Sequence, residues 1–364
     1  MNRARHAAAI LACVATAASP ACAATGRDVV ADFDDATGGA LPKAIHIADE
    51  SHARGARSPG DQLVVLDAVD ADVSFPDRSH ARMYHATWNG ESALATRSGS
   101  HLDVTIASAE GLRIVGFDVD ERDAHRLREG TPLPTTSTSA PSDPHAARVR
   151  RDVSFLDPQD QRPILTFWIF LHDDTAGVSQ QHIHAGYVAW WLADMRRQLP
   201  GYRLRTFYLD HHEGMTDIAY GDRPGGMWRW TSAAHAYAVE AQLPEQVPAH
   251  PYRFILLTRD YVAPSTMGLA VQGGDQAMAS LAGPWSIVAH ELGHTLGASH
   301  DDAAVWWSYV WPCETNMYPT DNVMLSNCYR YTAANETRIQ ARLSQIPTVT
   351  PPSDLSAIQM NLVD

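Results

Sequence analysis

The sequence predicts an α/β layered domain in the C-terminal part of the chain, with a smaller β-rich unit before it. Residues 164–171 form a nearly continuous apolar run, which is typical of a strand buried on both faces of a parallel or mixed sheet. Residues 179–199 carry apolar side chains at helical spacing and end at a Pro-Gly pair. Apolar runs at 202–209 and 253–258 predict two more strands. Strands that alternate with helices in this way indicate helices packed on a sheet.

The N-terminal part is expected to form a unit of its own over residues 24–130. Short β-type runs there are separated by glycine and charged residues. A segment rich in proline, serine and threonine follows at 131–151 and predicts a linker. It ends in the basic stretch 148–151, which is either a site of the kind that proteases cut or a solvated run of charge. The larger domain is then expected to span residues 152–364.

One stretch near the C-terminal end carries the pattern H-E-x-x-H-x-x-G-x-x-H. On a helix, His290 and His294 lie one turn apart on the same face, where both rings can reach one metal ion. Glu291 then points beside the metal, where a carboxylate can take a proton from metal-bound water. Gly297 allows the helix to stop and the chain to turn, which brings back His300 as a third ligand. Three nitrogen ligands leave the fourth tetrahedral position open, as in a catalytic zinc site.

The flanking residues predict the helix that carries this pattern. Pro284 suits the first turn of a helix, and apolar residues continue the pattern, so the predicted zinc-bearing helix spans 284–296. A last helix is predicted at 332–343.

Composition and the N-terminus indicate an exported protein. Residues 1–23 resemble a secretory signal peptide, with a positive start, a short apolar run and small residues at the cleavage site. The net charge of −14, with no basic stripe, argues against a nucleic-acid-binding protein. No segment of the sequence is long and apolar enough to predict a membrane span.

The cysteines fit the same compartment. Two of the 4 cysteines fall in the predicted signal peptide, which leaves Cys313 and Cys328 as an even pair in an exported chain. We predict that they form a disulfide.

At the zinc motif the sequence resembles the metzincin zinc endopeptidases, whose signature is this long motif followed by a methionine turn. His300 is followed by Asp301, and this pair makes the motif most similar to that of the adamalysin/reprolysin branch. Residues 322–332 resemble the pappalysin pattern and indicate Met324 as the turn methionine. The segment around Met317 is similar instead to the matrixin turn, so Met317 is the alternative.

The resemblance implies an α/β (α+β) metzincin-like zinc protease domain. Its mixed sheet would have an antiparallel edge strand and three main helices. The segment similar to the edge strand that pairs with extended substrate comprises Gly268, Leu269, Ala270, Val271 and Gln272. A unit before such a domain is often a propeptide that keeps a zymogen silent, so residues 24–130 are expected to be a propeptide or an accessory domain. They contain no cysteine that could block a zinc ion.

The expected function is that of a secreted zinc-dependent endopeptidase that hydrolyses extracellular proteins with a Glu291-activated water. A bacterial source is also expected. One catalytic Zn²⁺ is expected, and structural Ca²⁺ is not indicated. Expected partners are protein or peptide substrates, without nucleic acid or a membrane span, and the protein is expected to be a monomer. The alternative is a secreted zinc-binding adhesin or binding protein without proteolysis. The retained Glu291 argues against this alternative, because a structural zinc site needs no base.

Overall fold

The computed structural model describes most of the chain outside its two ends and the central linker. The described residues are 26–47, 60–108, 111–121, 124–129, 159–244, 246, 251–308, 311–319, 325–345 and 362–363. The predicted signal peptide and the whole of the linker 131–151, with its basic site 148–151, therefore lie outside the described residues. Among the described residues, we find no helix with the length and apolar character needed to cross a membrane.

Helices occur mainly in the C-terminal part of the described chain. They are α1 (Gly26–Thr37), α2 (Gln180–Ile183), a π-helical segment (His184–Val188), α3 (Ala189–Gln198), α4 (Gly225–Glu240), α5 (Ile287–Thr295) and α6 (Ala333–Ser344), with one-turn 3-10 helices at Asp173–Thr175 and His300–Asp302.

The strands are shared between the two parts of the chain. Those of the N-terminal part are β1 (Lys43–Ile47), β2 (Asp61–Ala68), β3 (Ala71–Ser74), β4 (His80–Trp88), β5 (Glu91–Ser98), β6 (His101–Ser108), β7 (Gly111–Asp118) and β8 (His125–Arg128). Those of the C-terminal part are β9 (Ile164–Leu171), β10 (Arg203–Leu209), β11 (Tyr252–Thr258), β12 (Gly268–Val271), β13 (Gln276–Ser280), β14 (Val305–Ser308), β15 (Trp311–Glu314), β16 (Ser326–Asn327) and β17 (Leu362–Val363).

One mixed sheet runs through the described chain in the order β17-β12-β13-β11-β9-β10-β3-β4-β5-β6-β7-β8, and β2 and β1 extend it from β4. Pairing is parallel from β13 through β11, β9 and β10 to β3. It is antiparallel from β12 to β13 and throughout the N-terminal strands. The mixed sheet and the antiparallel strand near its edge agree with the fold class expected from the sequence.

The central strand β9 shows why the C-terminal part is layered. Leu165, Phe167 and Ile169 belong to the core under α3 and α5. Trp168 and Phe170 point to the other face and pack in a second core, which α4 covers. The strand is apolar along its length because helices cover both of its faces.

The N-terminal strands share the core of the part of the chain that carries the three motif histidines. Met83, Leu94 and Ile114 pack in the same hydrophobic cluster as the side chains of α3, while α1 covers the opposite face with a separate cluster. β3 pairs with β10 in parallel orientation, and the pairing begins with Ala71 opposite Leu204. The predicted division after residue 130 is therefore not a boundary in the sheet or in the core.

The sequence located most of the longer elements of the C-terminal part to within three residues, but it omitted several others, among them the short strands β14 to β17. The predicted helix 179–199 exists, with a π-helical turn inside it. The expectation of three main helices missed α4, which begins at two glycines without a side-chain cap and has apolar residues on several faces. The helix α1 and the short strand β13 were also not predicted.

The disulfide between Cys313 and Cys328 is present, with an S–S distance of 2.06 Å, and joins β15 to the segment after β16. It closes a loop with a sequence separation of 15 residues.

We expect serine at both Cys313 and Cys328 to lower the free energy of unfolding by about 3 kcal/mol, because the unfolded chain regains the entropy of this loop. Denaturant unfolding measures the loss. Wild-type protein with its disulfide reduced is the control and should lose the same amount, and equal midpoints for oxidised wild type and variant would contradict the prediction.

Candidate metal centre

The helix α5 carries the first two histidines of the motif and is buried along its whole length. His290 and His294 lie one turn apart, with ring centroids 4.8 Å from each other. Apolar side chains such as Val288 and Leu292 anchor the helix in the core under the sheet. His290 and His294 are therefore held on a helix that packs on all sides.

The chain reverses directly after this helix. Gly297 has a φ of 91°, its N–H bonds to the carbonyl of His294, and the N–H of Ala298 bonds to the carbonyl of Gly293. This is the Schellman arrangement, which favours glycine because its central residue is left-handed. The next residue, Ser299, is held by Asn335 of α6, whose amide accepts from the Ser299 N–H at 2.8 Å and donates to the Ser299 carbonyl at 3.1 Å.

The reversal brings His300 next to the other two rings. The Nε2 atoms of the three histidines lie 3.0 to 3.2 Å apart. Tetrahedral zinc with ligand nitrogens at about 2.0–2.1 Å requires nitrogens roughly 3.3 Å apart. The three histidines are the group among the described residues whose ligand atoms are placed to hold a metal ion.

Two of these rings are oriented by hydrogen bonds on their far side. His290 Nδ1 lies 2.8 Å from the carbonyl oxygen of Asn316, and His294 Nδ1 lies 2.9 Å from Oε1 of Gln272. A carbonyl oxygen can only accept, so Nδ1 carries the proton and Nε2 presents its lone pair to the centre. Burial, together with the neighbouring His290 and His300, lowers the pKa of His294 to about 2. The ring is thus neutral at neutral pH, as a metal ligand must be.

The carboxylate of Glu291 lies in the interior beside the edge of the sheet, and the residue is only 1% exposed. A Cβ on Gly268 would come within 2.2 Å of Glu291 Oε1. The backbone of β12 can therefore approach the carboxylate this closely only with glycine at that position.

Met317 forms the floor under the helix. It is fully buried in a tight turn, in which the N–H of Tyr318 bonds to the carbonyl of Thr315. A Cβ on Gly293 would lie 2.6 Å from Met317 Sδ and 2.9 Å from Cε1 of Tyr331. Met324, which the sequence favoured as the turn methionine, lies outside the described residues.

The predicted substrate strand is present as β12, from Gly268 to Val271, while Gln272 lies in the turn that follows. β13 pairs with the inner side of β12. The outer side is paired with β17 at two positions, Ala270↔Val363 and Val271↔Leu362, in antiparallel orientation. A strand of the same chain thus covers part of the edge that the sequence assigned to substrate.

Several contacts that build the centre were missed by sequence reasoning. Gln272 was expected only in the substrate strand and not as the partner of His294, and Asn335 was not singled out. Arg253 is buried and donates from Nε to the carbonyl of Thr295 at the end of α5 at 3.2 Å. Burial lowers its pKa to about 10, so the guanidinium remains charged at neutral pH. An arginine inside the apolar strand 253–258 was the available signal, because buried arginine is rare without a partner.

Comparison with solved structures shows the same fold in a crystal structure of metalloproteinase-II from Bacteroides fragilis. The two chains share 12% sequence identity with a TM-score of 0.58, and the match covers 89% of this chain and 97% of that one. Protein-family models and curated protein sequences give no match to this chain. The chain therefore has a metalloprotease-like fold, and the match extends over both the N-terminal strands and the part with the three histidines.

We expect Gly293→Ala to destabilise the protein by about 1–3 kcal/mol, because the added methyl overlaps Met317 and Tyr331 in a packed core. Thermal or denaturant unfolding measures the change. Gly201→Ala is the matched control, since a Cβ there meets nothing within 4 Å. The packing account is wrong if the two variants unfold at the same midpoint.

Proposed function

We propose that this protein is a secreted zinc endopeptidase. The observation that carries the proposal is that the Nε2 atoms of His290, His294 and His300 converge on one point. Glu291 is buried beside the strand β12, on the helix that carries His290 and His294. A purely structural zinc site has four protein ligands and no need of a base, whereas a three-histidine site with an adjacent carboxylate fits hydrolysis.

The donor set fits zinc. Three imidazole nitrogens with near-tetrahedral spacing and fixed Nδ1 protons suit a borderline metal better than the oxygen-preferring Ca²⁺ or Mg²⁺. When bound, zinc would supply a Lewis acid that activates water and polarises the scissile carbonyl.

Glu291 is the proposed general base. Its carboxylate takes a proton from the attacking water and passes it to the leaving amine, so one residue serves both proton transfers. Its burial supports this role, because few water molecules compete for the carboxylate. Contact with Gly268 fixes where the carboxylate lies relative to the β12 edge.

We propose that Met317 is the turn methionine. Asn316, the residue before it, orients His290 through its carbonyl, and the Met317 sulfur supports Gly293 from below. One short turn thus serves both a ligand and the helix. Cys313, which begins the same loop, holds it through the disulfide.

The extended substrate is proposed to add as a strand along the edge of β12, where backbone hydrogen bonds provide affinity without strict sequence demands. The structure's metalloprotease-like fold supports a peptide substrate, and the disulfide suits an oxidising compartment outside the cytoplasm. Residues 24–130 remain proposed as a propeptide or accessory unit, and the pairing of β3 with β10 favours the accessory unit.

Glu291→Gln should lower kcat/KM on casein by a factor of about 10²–10⁴, because the amide has nearly the same volume but cannot accept the proton. Proteolysis by the wild-type protein should stop when a zinc chelator is added and return when zinc is restored. Zinc content, measured by atomic absorption, should be equal in the wild type and the variant.

Two outcomes separate the parts of this proposal. A wild-type protein that binds zinc but shows no chelator-sensitive cleavage would favour the binding-protein alternative. A Glu291→Gln variant that cuts as fast as the wild type would leave the protease function in place and remove Glu291 from its mechanism.

The strand β17 provides a second test, because it occupies the edge of β12 that substrate is proposed to use. Proline at both Leu362 and Val363 removes the backbone donor that faces β12, whichever of the two residues supplies it, and should release β17 from this edge. The KM for peptide substrates should then fall severalfold with little change in kcat, since a competing strand no longer has to be displaced.

Alanine at the same two positions is the control, because it keeps both backbone N–H groups. A KM that stays unchanged in the proline variant, or a fall of equal size in the alanine variant, would show that pairing of β17 does not compete with substrate.

A further inference from the structure

Gln272 stands at a point where the edge strand and the zinc-motif helix meet. It begins the turn after β12, in which the N–H of Gly274 bonds to the carbonyl of Val271 and Gly273 has a φ of 65°. A left-handed third residue is what a type II turn requires, and glycine adopts it without strain. The N–H of Gly273 also donates to the carbonyl of His294 at 2.8 Å, so the turn is fastened directly to α5.

The side chain of Gln272 has one orientation that satisfies both of its neighbours. Its Nε2 lies 3.0 Å from the carbonyl oxygen of Ala298, and its Oε1 lies 2.9 Å from Nδ1 of His294. The Ala298 carbonyl can only accept, so it must face the NH₂ group, which leaves the amide oxygen for His294. The amide therefore acts as an acceptor whose direction is set by the backbone after the zinc helix.

This contact determines which nitrogen of His294 is available to a metal. An acceptor at Nδ1 stabilises the tautomer with its proton on Nδ1, which leaves the lone pair on Nε2. Nε2 is the atom that lies 3.2 Å from Nε2 of His290 and 3.0 Å from Nε2 of His300. The Ala298 carbonyl also lies 3.3 Å from Nδ1 of His294 and supports the same tautomer at longer range.

We infer that Gln272 is a positioning residue for the metal, which it serves by fixing the tautomer and ring orientation of His294. The inference rests on the proposed zinc function. It also gives Gln272 a role other than substrate binding, because its amide is already engaged by His294 and Ala298. Partners of this kind behind a ligating histidine typically contribute a factor of about 10–100 to metal affinity.

The test compares zinc affinities by competition with a chromophoric chelator, a readout that needs no catalysis. Gln272→Met keeps the length of the side chain but removes the acceptor, and Gln272→Asn keeps the amide but shortens its reach. Both should raise the zinc Kd about 10–100-fold. Gln272→Glu retains an acceptor for Nδ1 but loses the donor to the Ala298 carbonyl, so it should lose less zinc affinity than either of these variants.

Gln276→Met is the matched control, because Gln276 also bonds to a histidine, at 3.0 Å from Nε2 of His235, away from the three-histidine centre. Its zinc Kd should equal that of wild type. Thermal unfolding of the metal-free proteins shows whether each variant is folded. The inference is overturned if Gln272→Met and Gln272→Asn both bind zinc like wild type, or if Gln272→Glu is weakened as much as they are. A wild-type protein that binds no zinc would instead refute the proposed function.

Discussion

The burial of α5 is the constraint on which the rest of the centre depends. All residues of this helix are inside the protein, including His290, Glu291 and His294. Buried polar groups need partners, and so do the backbone carbonyls at the end of a helix. The structure supplies them from every side: Asn316 and Gln272 for the ring N–H groups, and Gly273 and Arg253 for the last carbonyls. Asn316 and Gln272 thus serve the burial of the helix and also orient two of the ligand rings.

What the sequence could predict is what local spacing determines. The positions of His290 and His294 follow from the helical period, and the turn that returns His300 follows from the need for a left-handed residue at Gly297. The strand β9 was predictable for a similar reason, because a strand covered on both faces must be apolar throughout. In each case the physical requirement acts within a few neighbouring residues, so the local sequence is enough to express it.

What the sequence could not predict depends on contacts between distant segments. The partner of His294 is 22 positions away and that of His290 is 26 positions away, and the second contact uses a backbone carbonyl that any residue could supply. Asn335, 36 positions from Ser299, holds the reversal after the helix. The helix α4 was missed because its stability comes from packing on β9 and β11, while its own capping and periodicity are weak. These features are therefore determined by tertiary packing, and no short sequence pattern predicts them.

The N-terminal part is joined to the rest of the described chain through the sheet and the core. A removable propeptide would be expected to meet the C-terminal part at a surface, yet β3 continues the sheet from β10 and Met83 packs in the core beneath α3. Thr105 also donates to the carbonyl of Ala185 in the π-helical segment, which gives a buried backbone group its partner. Removing residues 24–130 would leave β10 as an open edge and uncover apolar side chains on the helical layer. Removal would therefore expose backbone and core together.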